Sequence, residues 1–190
     1  MKKALILLLF AGCIITSLSC TKASDKVVEK LSLIVYFSHS GNTKAVAEHM
    51  STIISSSEMF EIVVAEPYSQ VMDEVLARGR NEFENNIRPE LKQKIDNLDN
   101  YDVIYIGYPI WFSSVPMAVL TFLEAHDLTG KTIVPFSTRG GGMIGESVDR
   151  IKAATPNSKV LDGFHDINRA NYSQAIELTD AWFADFDIKK

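Results

Sequence analysis

From residue 31 onward the chain alternates short apolar runs with segments whose apolar positions recur every three or four residues. Residues 31–37 read as a β-rich run, and residues 42–56 follow as a helix with Val46, Met50, Ile53 and Ile54 at helical spacing. A second short strand is expected at 61–65. Residues 68–85 are helix-compatible and largely charged, with Gly79 as an interruption, and a loop surrounds Arg88 and Pro89. The third strand, 102–108, is almost wholly apolar. A helix should start near Ser114, with Pro116 in its first turn and Val119, Leu120 and Leu123 facing inward. Residues 132–136 read as strand four, Ile144, Val148 and Ile151 mark a helix, 159–164 is strand five, and 172–186 is a last helix with Ile176, Phe183 and Phe186 on one side. Continuous apolar strands alternating with helices predict a single α/β domain: a doubly wound, five-stranded parallel sheet covered on both faces, in three layers.

The first 30 residues break this pattern. Lys2 and Lys3 precede an apolar stretch from Ala4 to Leu18, and Cys20 follows. The stretch is short of the roughly 20 residues that a membrane-spanning helix needs, and it reads as an export signal over residues 1–19. Cys20 stands where a bacterial lipoprotein signal places its lipid-modified cysteine, although Leu18 lies one position later than in the usual Leu-small-small-Cys pattern. A lipid anchor at Cys20 is one expectation; an ordinary cleaved signal is the other. Residues 20–30 are polar and look like a tether, and the domain proper occupies 31–188.

Charge and cysteine content narrow the chemistry. The chain has 19 basic and 24 acidic side chains, a net charge of −5, and loss of Lys2 and Lys3 with the signal makes the remainder more acidic still. Such a surface argues against nucleic acid as partner. The only cysteines are Cys13 and Cys20, so the domain has no thiol for disulfides, redox catalysis or metal binding. The four histidines, at 39, 49, 126 and 165, lack metal-ligand spacing.

In an open parallel sheet, ligands bind beyond the carboxyl ends of the strands where the strand order reverses. After strand one comes Ser38-His39-Ser40-Gly41-Asn42-Thr43, running straight into a helix. Three hydroxyls, one glycine and free helix-start amides suit a phosphate, although capping of the helix explains the same residues. The loop contains no Lys or Arg, and the Gly-x-x-x-x-Gly-Lys-Ser/Thr pattern of nucleotide triphosphatases is missing. After strand three, Tyr108-Pro109-Ile110-Trp111-Phe112-Ser113-Ser114 puts a large aromatic pair where loops are normally polar. That pair either covers a flat ligand or closes the edge of the core. After strand four, Ser137-Thr138-Arg139-Gly140-Gly141-Gly142 offers main chain that can lie close to a planar ligand.

These three loops, in this order, resemble the flavodoxin-like family. Ser-His-Ser-Gly-Asn-Thr is similar to its phosphate loop, commonly Thr/Ser-x-Thr/Ser-Gly-x-Thr; residues 106–111 with Pro116 and 121–123 resemble its flavin-flanking segment; Phe136 to Thr138 with the glycines and 145–147 resemble its third loop. The resemblance covers 31–188 and implies the strand order 2-1-3-4-5 and flavin mononucleotide (FMN) as cofactor. By it, Ser38, Ser40, Gly41, Asn42 and Thr43 would hold the phosphate. Pro109, Ile110, Trp111 and Phe112 would flank the isoalloxazine, and Ser137, Thr138, Gly140, Gly141 and Gly142 would line its polar edge. His39 falls on a variable position and receives no role. Many flavodoxins carry a stacking aromatic in the third loop; here Arg139 and glycines replace it, which would leave one ring face open.

The expected function is therefore that of an FMN-binding redox protein of the cell envelope, either an electron carrier docking on a basic partner or a small oxidoreductase using NAD(P)H or a quinone. No side chain is expected to be catalytic. The alternative is a lipid-anchored module of the same fold binding another phosphorylated ligand without redox activity. A phosphoryl-transfer or receiver-type role is disfavoured, because it wants an acidic cluster after strand one and an aspartate ending strand three, where this chain has Ser38 and Tyr108.

Overall fold

The computed structural model describes residues 31–140, 143–168 and 172–185, with side chains left aside for 166–168, 172–175 and 185. The expected signal, tether and Cys20, together with Gly141, Gly142 and Phe186, lie outside the described residues.

Four strands build the centre and one edge of the sheet: β1 (Leu31–Tyr36), β2 (Ser57–Glu61), β3 (Tyr101–Pro109) and β4 (Thr132–Arg139). The other edge is β5 (Lys159–Val160) and β6 (Phe164–Asn168), both parallel to β4. The order is β2-β1-β3-β4-β5, and every ladder is parallel, as the apolar runs predict. The fifth strand is thus split rather than continuous. Gly163 takes φ +71° between the halves, and a Cβ there would sit 2.0 Å from the Pro135 carbonyl oxygen. Only glycine lets the chain pass so close to β4.

Alternate residues of β1 and β3 feed two apolar layers. Leu33, Val35, Ile104 and Ile106 face α2 (Met72–Glu84), α3 (Met117–Glu124) and α4 (Ser147–Ala154). Ile34, Tyr36 and Tyr105, with Val134 and Phe136, face α1 (Asn42–Ile53) and the Trp182 and Phe183 rings of α5 (Tyr172–Asp185). Burial of both faces explains why these strands are almost uninterrupted in apolar side chains. Gly107 fits the same logic, since a Cβ at that position would lie 2.2 Å from the Phe136 ring.

Several boundaries differ from the sequence expectation. The second strand is Ser57–Glu61, not 61–65: its ladder with β1 runs from Ser32↔Ser57 to Tyr36↔Glu61. The more apolar Ile62 and Val64 instead leave that ladder to fill the core, with Val64 bridging antiparallel to Leu91. An edge strand needs only partial burial, so hydrophobicity misplaced it by a few residues. The expected helix at 68–85 begins only at Met72, because the Tyr68 ring is buried in the preceding loop. Pro116 sits just before α3 rather than inside its first turn, and α4 begins after Ile144.

Candidate functional site

The carboxyl ends of β1, β3 and β4 open into a cleft of about 290 Å³ between the loops they feed and the first half of α2. Its wall combines His39, Ser40 and Asn42, then Pro109, Ile110, Trp111 and Phe112, then Thr138, Arg139 and Gly140, with Met72, Val75 and Leu76 opposite. All three motif loops therefore meet at one place.

The first loop ends in Gly41, which caps α1 at φ +85°. No side chain caps this helix and no acid lies in its first turn, so its leading amides are left for an anion. Ser38 Oγ is buried beside this loop and has no hydrogen-bond partner among the described residues. A buried hydroxyl without a partner costs roughly 1–3 kcal/mol, a cost that an acceptor bound at this loop would remove. Thr43 is buried, and its hydroxyl meets that of Thr138 at 2.9 Å, tying the first loop to the third. A phosphate fits this donor set of hydroxyls and helix-start amides, and the residues present are compatible with FMN.

The second loop is a tight turn closed by two main-chain bonds, Trp111 N–H to Ser114 O at 3.0 Å and Ser114 N–H to Trp111 O at 2.9 Å. Its central residues, Phe112 and Ser113, both lie at positive φ (51° and 54°), although neither is glycine. Such a turn normally takes Asn-Gly, so the conformation is imposed by its surroundings. Glu146 N–H bonds Ser113 O at 3.1 Å, and Gly145, at φ +56°, permits that approach: a Cβ there would be 1.9 Å from the same oxygen. On the other side Gly79 of α2 lies under the aromatic pair, its Cβ position 3.2 Å from Phe112 and 3.3 Å from Trp111. The glycine that interrupts the helical pattern is thus where α2 docks on the turn.

Trp111 is both wall and core edge. Its ring meets Phe37, Tyr68 and His39 edge-on, at centroid distances of 5.5, 5.1 and 6.2 Å. Tyr68 is in turn fixed by its hydroxyl, which donates to the buried Glu82 carboxylate at 2.6 Å, while Arg78 Nε donates to Glu82 at 2.8 Å and its guanidinium lies 4.1 Å above the Tyr68 ring. Burial, and then the Glu82 bond, push the Tyr68 phenol far above its usual range, so it stays protonated. Phe112 is held by Phe83, with Arg80 5.0 Å over its ring.

Ser137 is fully buried and does not line the cleft. Its hydroxyl pairs with His165 Nδ1 at 3.0 Å, while the other ring nitrogen is 2.6 Å from Asp162 O. The tautomer consistent with both has Nε2–H donating to Asp162 O and Nδ1 accepting from Ser137. Burial holds the His165 pKa below the usual imidazole value.

Of the expected residues, Ser40, Asn42, Pro109, Ile110, Trp111, Phe112, Thr138 and Gly140 line the cleft; Ser38, Gly41 and Thr43 build the loop at its polar end; and Ser137 stands behind it. Sequence reading missed Met72, Val75 and Leu76, and gave no role to His39, which lines the cleft. A signal for the first three existed: apolar side chains spaced along one flank of an otherwise charged helix.

Comparison with known proteins identifies the family of the fold. The chain belongs to the flavodoxin family, which it matches over residues 30–185. A candidate flavoprotein of Bacteroides eggerthii is 34% identical, with 83% of this chain and 98% of that one covered and a TM-score of 0.69. A flavoprotein of Lactobacillus acidophilus, solved in complex with FMN, is 26% identical over 73% of this chain and 94% of its own, with a TM-score of 0.66. An archaeal flavodoxin, 17% identical over 82% of this chain and 95% of its own, shares the fold at a TM-score of 0.51. No curated protein matches the chain.

Proposed function

We propose that this protein is an FMN-binding redox protein of the cell envelope. The observation that carries the reading is the pairing, at one cleft, of an uncapped helix start, beside a Ser38 hydroxyl that has no partner among the described residues, with an aromatic-walled apolar end. A phosphate alone would need only the polar end. Family membership and the FMN complex of the Lactobacillus acidophilus relative support the same cofactor.

When bound, FMN supplies one- and two-electron redox chemistry that no protein side chain offers. The chain's own part is to hold and shield it. Ser38, Ser40, Asn42 and the leading amides of α1 receive the phosphate. Trp111 and Phe112, held by Tyr68, Phe83 and α2, present a rigid apolar surface to one side of the ring. Thr138 and Gly140 bring main chain to the polar edge, with Arg139 as a cation at the cleft. Electrons are exchanged with a partner protein, a nicotinamide or a quinone. Residues 1–19 direct export, and a lipid on Cys20 tethers the domain to a membrane through 20–30.

Purified protein should carry the blue and near-ultraviolet absorbance bands of flavin, or acquire them on FMN titration with micromolar or tighter affinity. A colourless protein that ignores FMN refutes the assignment and points to another phosphorylated ligand. For the anchor, Cys20→Ser should move the protein from the membrane fraction to the soluble one; unchanged partition refutes lipidation.

A further inference from the structure

Among the described residues the wall of the cleft holds two ionisable side chains, Arg139 on the third loop and His39 on the first. An arginine keeps its charge at every ordinary pH, whereas an imidazole gains or loses one between about pH 5 and 8. His39 is therefore the group of this wall whose charge can answer to a ligand near neutrality. It stands between Ser38 and Ser40, in a loop whose other side chains are neutral.

The ring is held in place by its neighbours. It meets Trp111 edge-on at 6.2 Å and Tyr68 at 6.3 Å, and Tyr68 is itself pinned by its bond to Glu82. Neither ring nitrogen of His39 has a hydrogen-bond partner among the described residues. Packing against two aromatic rings would be served as well by a carbon ring, so the two nitrogens are surplus to it.

Few charged groups surround the imidazole. Tyr68 stays protonated, with the Arg78–Glu82 pair behind it at 2.8 Å. Lys44 is exposed in the first turn of α1, Asp73 and Glu74 are exposed in that of α2, and Arg139 lies on the third loop. No carboxylate bonds His39 among the described residues, so a proton on the ring gains no bonded counter-charge until an anion enters the cleft. A phosphate brings a charge of about −1.5 to −2 at neutral pH, and an opposite charge within about 4–6 Å favours the protonated imidazole.

We propose that His39 couples FMN binding to the uptake of a proton: the imidazole takes a proton from solvent as the phosphate binds, and supplies a counter-charge that the hydroxyls and amides of the loop lack. This rests on the reading of the cleft as an FMN site. The contribution of His39 to affinity is fully present in mildly acidic solution and is lost as pH rises through the range in which the bound form deprotonates. The phosphate's own titration, near pH 6, acts in the opposite direction, so His39 is read from the difference between wild type and variant.

The test uses the full-length chain stripped of flavin. Calorimetric titration with FMN at about pH 7.5, in buffers of different ionisation enthalpy, counts the protons exchanged, at a pH where FMN is mostly dianionic already. Wild type should take up a measurable fraction of a proton, and His39→Gln should not. In ring-proton NMR of the wild-type chain, FMN should raise the titration midpoint of one of the four histidines. In a pH series followed by flavin fluorescence, the variant's Kd should match that of wild type near pH 9 and exceed it by about three- to tenfold near pH 6. The proposal is overturned if wild type takes up no proton, if no histidine midpoint rises, if the variant takes up the same fraction, or if the ratio of Kd values is constant with pH, which is the signature of packing alone. Calorimetry and NMR on the wild-type chain decide the matter even if the variant does not fold. A chain that binds no FMN at any pH overturns the underlying assignment instead.

Discussion

Replacing Ser38 by alanine separates a ligand-holding hydroxyl from an ordinary buried one, because the two roles predict opposite signs. Ser38 Oγ is buried and has no partner among the described residues. Such a group carries a penalty of about 1–3 kcal/mol, and deleting it recovers part of that while leaving a void of a single oxygen. Ser38→Ala should therefore leave the stability of the FMN-free protein unchanged or raise it by up to about 1 kcal/mol. A hydrogen bond to a charged phosphate is worth about 1.5–3 kcal/mol, so the same variant should weaken FMN binding by roughly ten- to a hundredfold. Thr43 supplies the contrast. Its hydroxyl is buried but already bonded to Thr138 at 2.9 Å, so Thr43→Val should destabilise the FMN-free protein by about 1 kcal/mol or more. Urea unfolding of flavin-free protein gives the stabilities, and quenching of flavin fluorescence on titration gives the affinities. A Ser38→Ala variant that loses more than about 1 kcal/mol of stability, or keeps its FMN affinity, would refute the argument.

Trp111→Ala should weaken FMN binding by about 1–3 kcal/mol in the same titration and also lower stability, since three rings lean on it; unchanged affinity would leave Trp111 as core edge only. Gly107→Ala should cost about 1–3 kcal/mol or more in urea unfolding, because its Cβ must displace the buried Phe136 ring; a neutral result would mean that the strand spacing has slack. With the folded-state pKa of His165 lowered by burial, the unfolded chain takes up that proton first as pH falls below the ordinary imidazole range. Stability is then complete above that range and declines below it, until the folded form is protonated too. The drop in Tm between neutral and mildly acidic buffer should shrink in His165→Gln, and an identical drop would assign it to other groups.

The sequence by itself determined the class of fold and most of the cleft. Both faces of a central parallel strand are buried, so its apolar run is unbroken and visible without any partner, as in 102–108 against the observed Tyr101–Pro109. The three loops were legible because their chemistry is local: hydroxyls before a helix start, aromatics and glycines at strand ends. Where hydrophobicity and pairing diverge, at Ser57–Glu61 and around Gly163, the pattern misled, since ladder register depends on the neighbouring strand and not on the segment itself. Tertiary structure alone decided that Ser38 lacks a partner among the described residues while Thr43 has one, that Ser137 turns to His165, and that the flank of α2 supplies the fourth wall of the cleft. Those relations join residues distant in the chain, and the spacing of side chains along one segment carries no information about which distant group will arrive beside it.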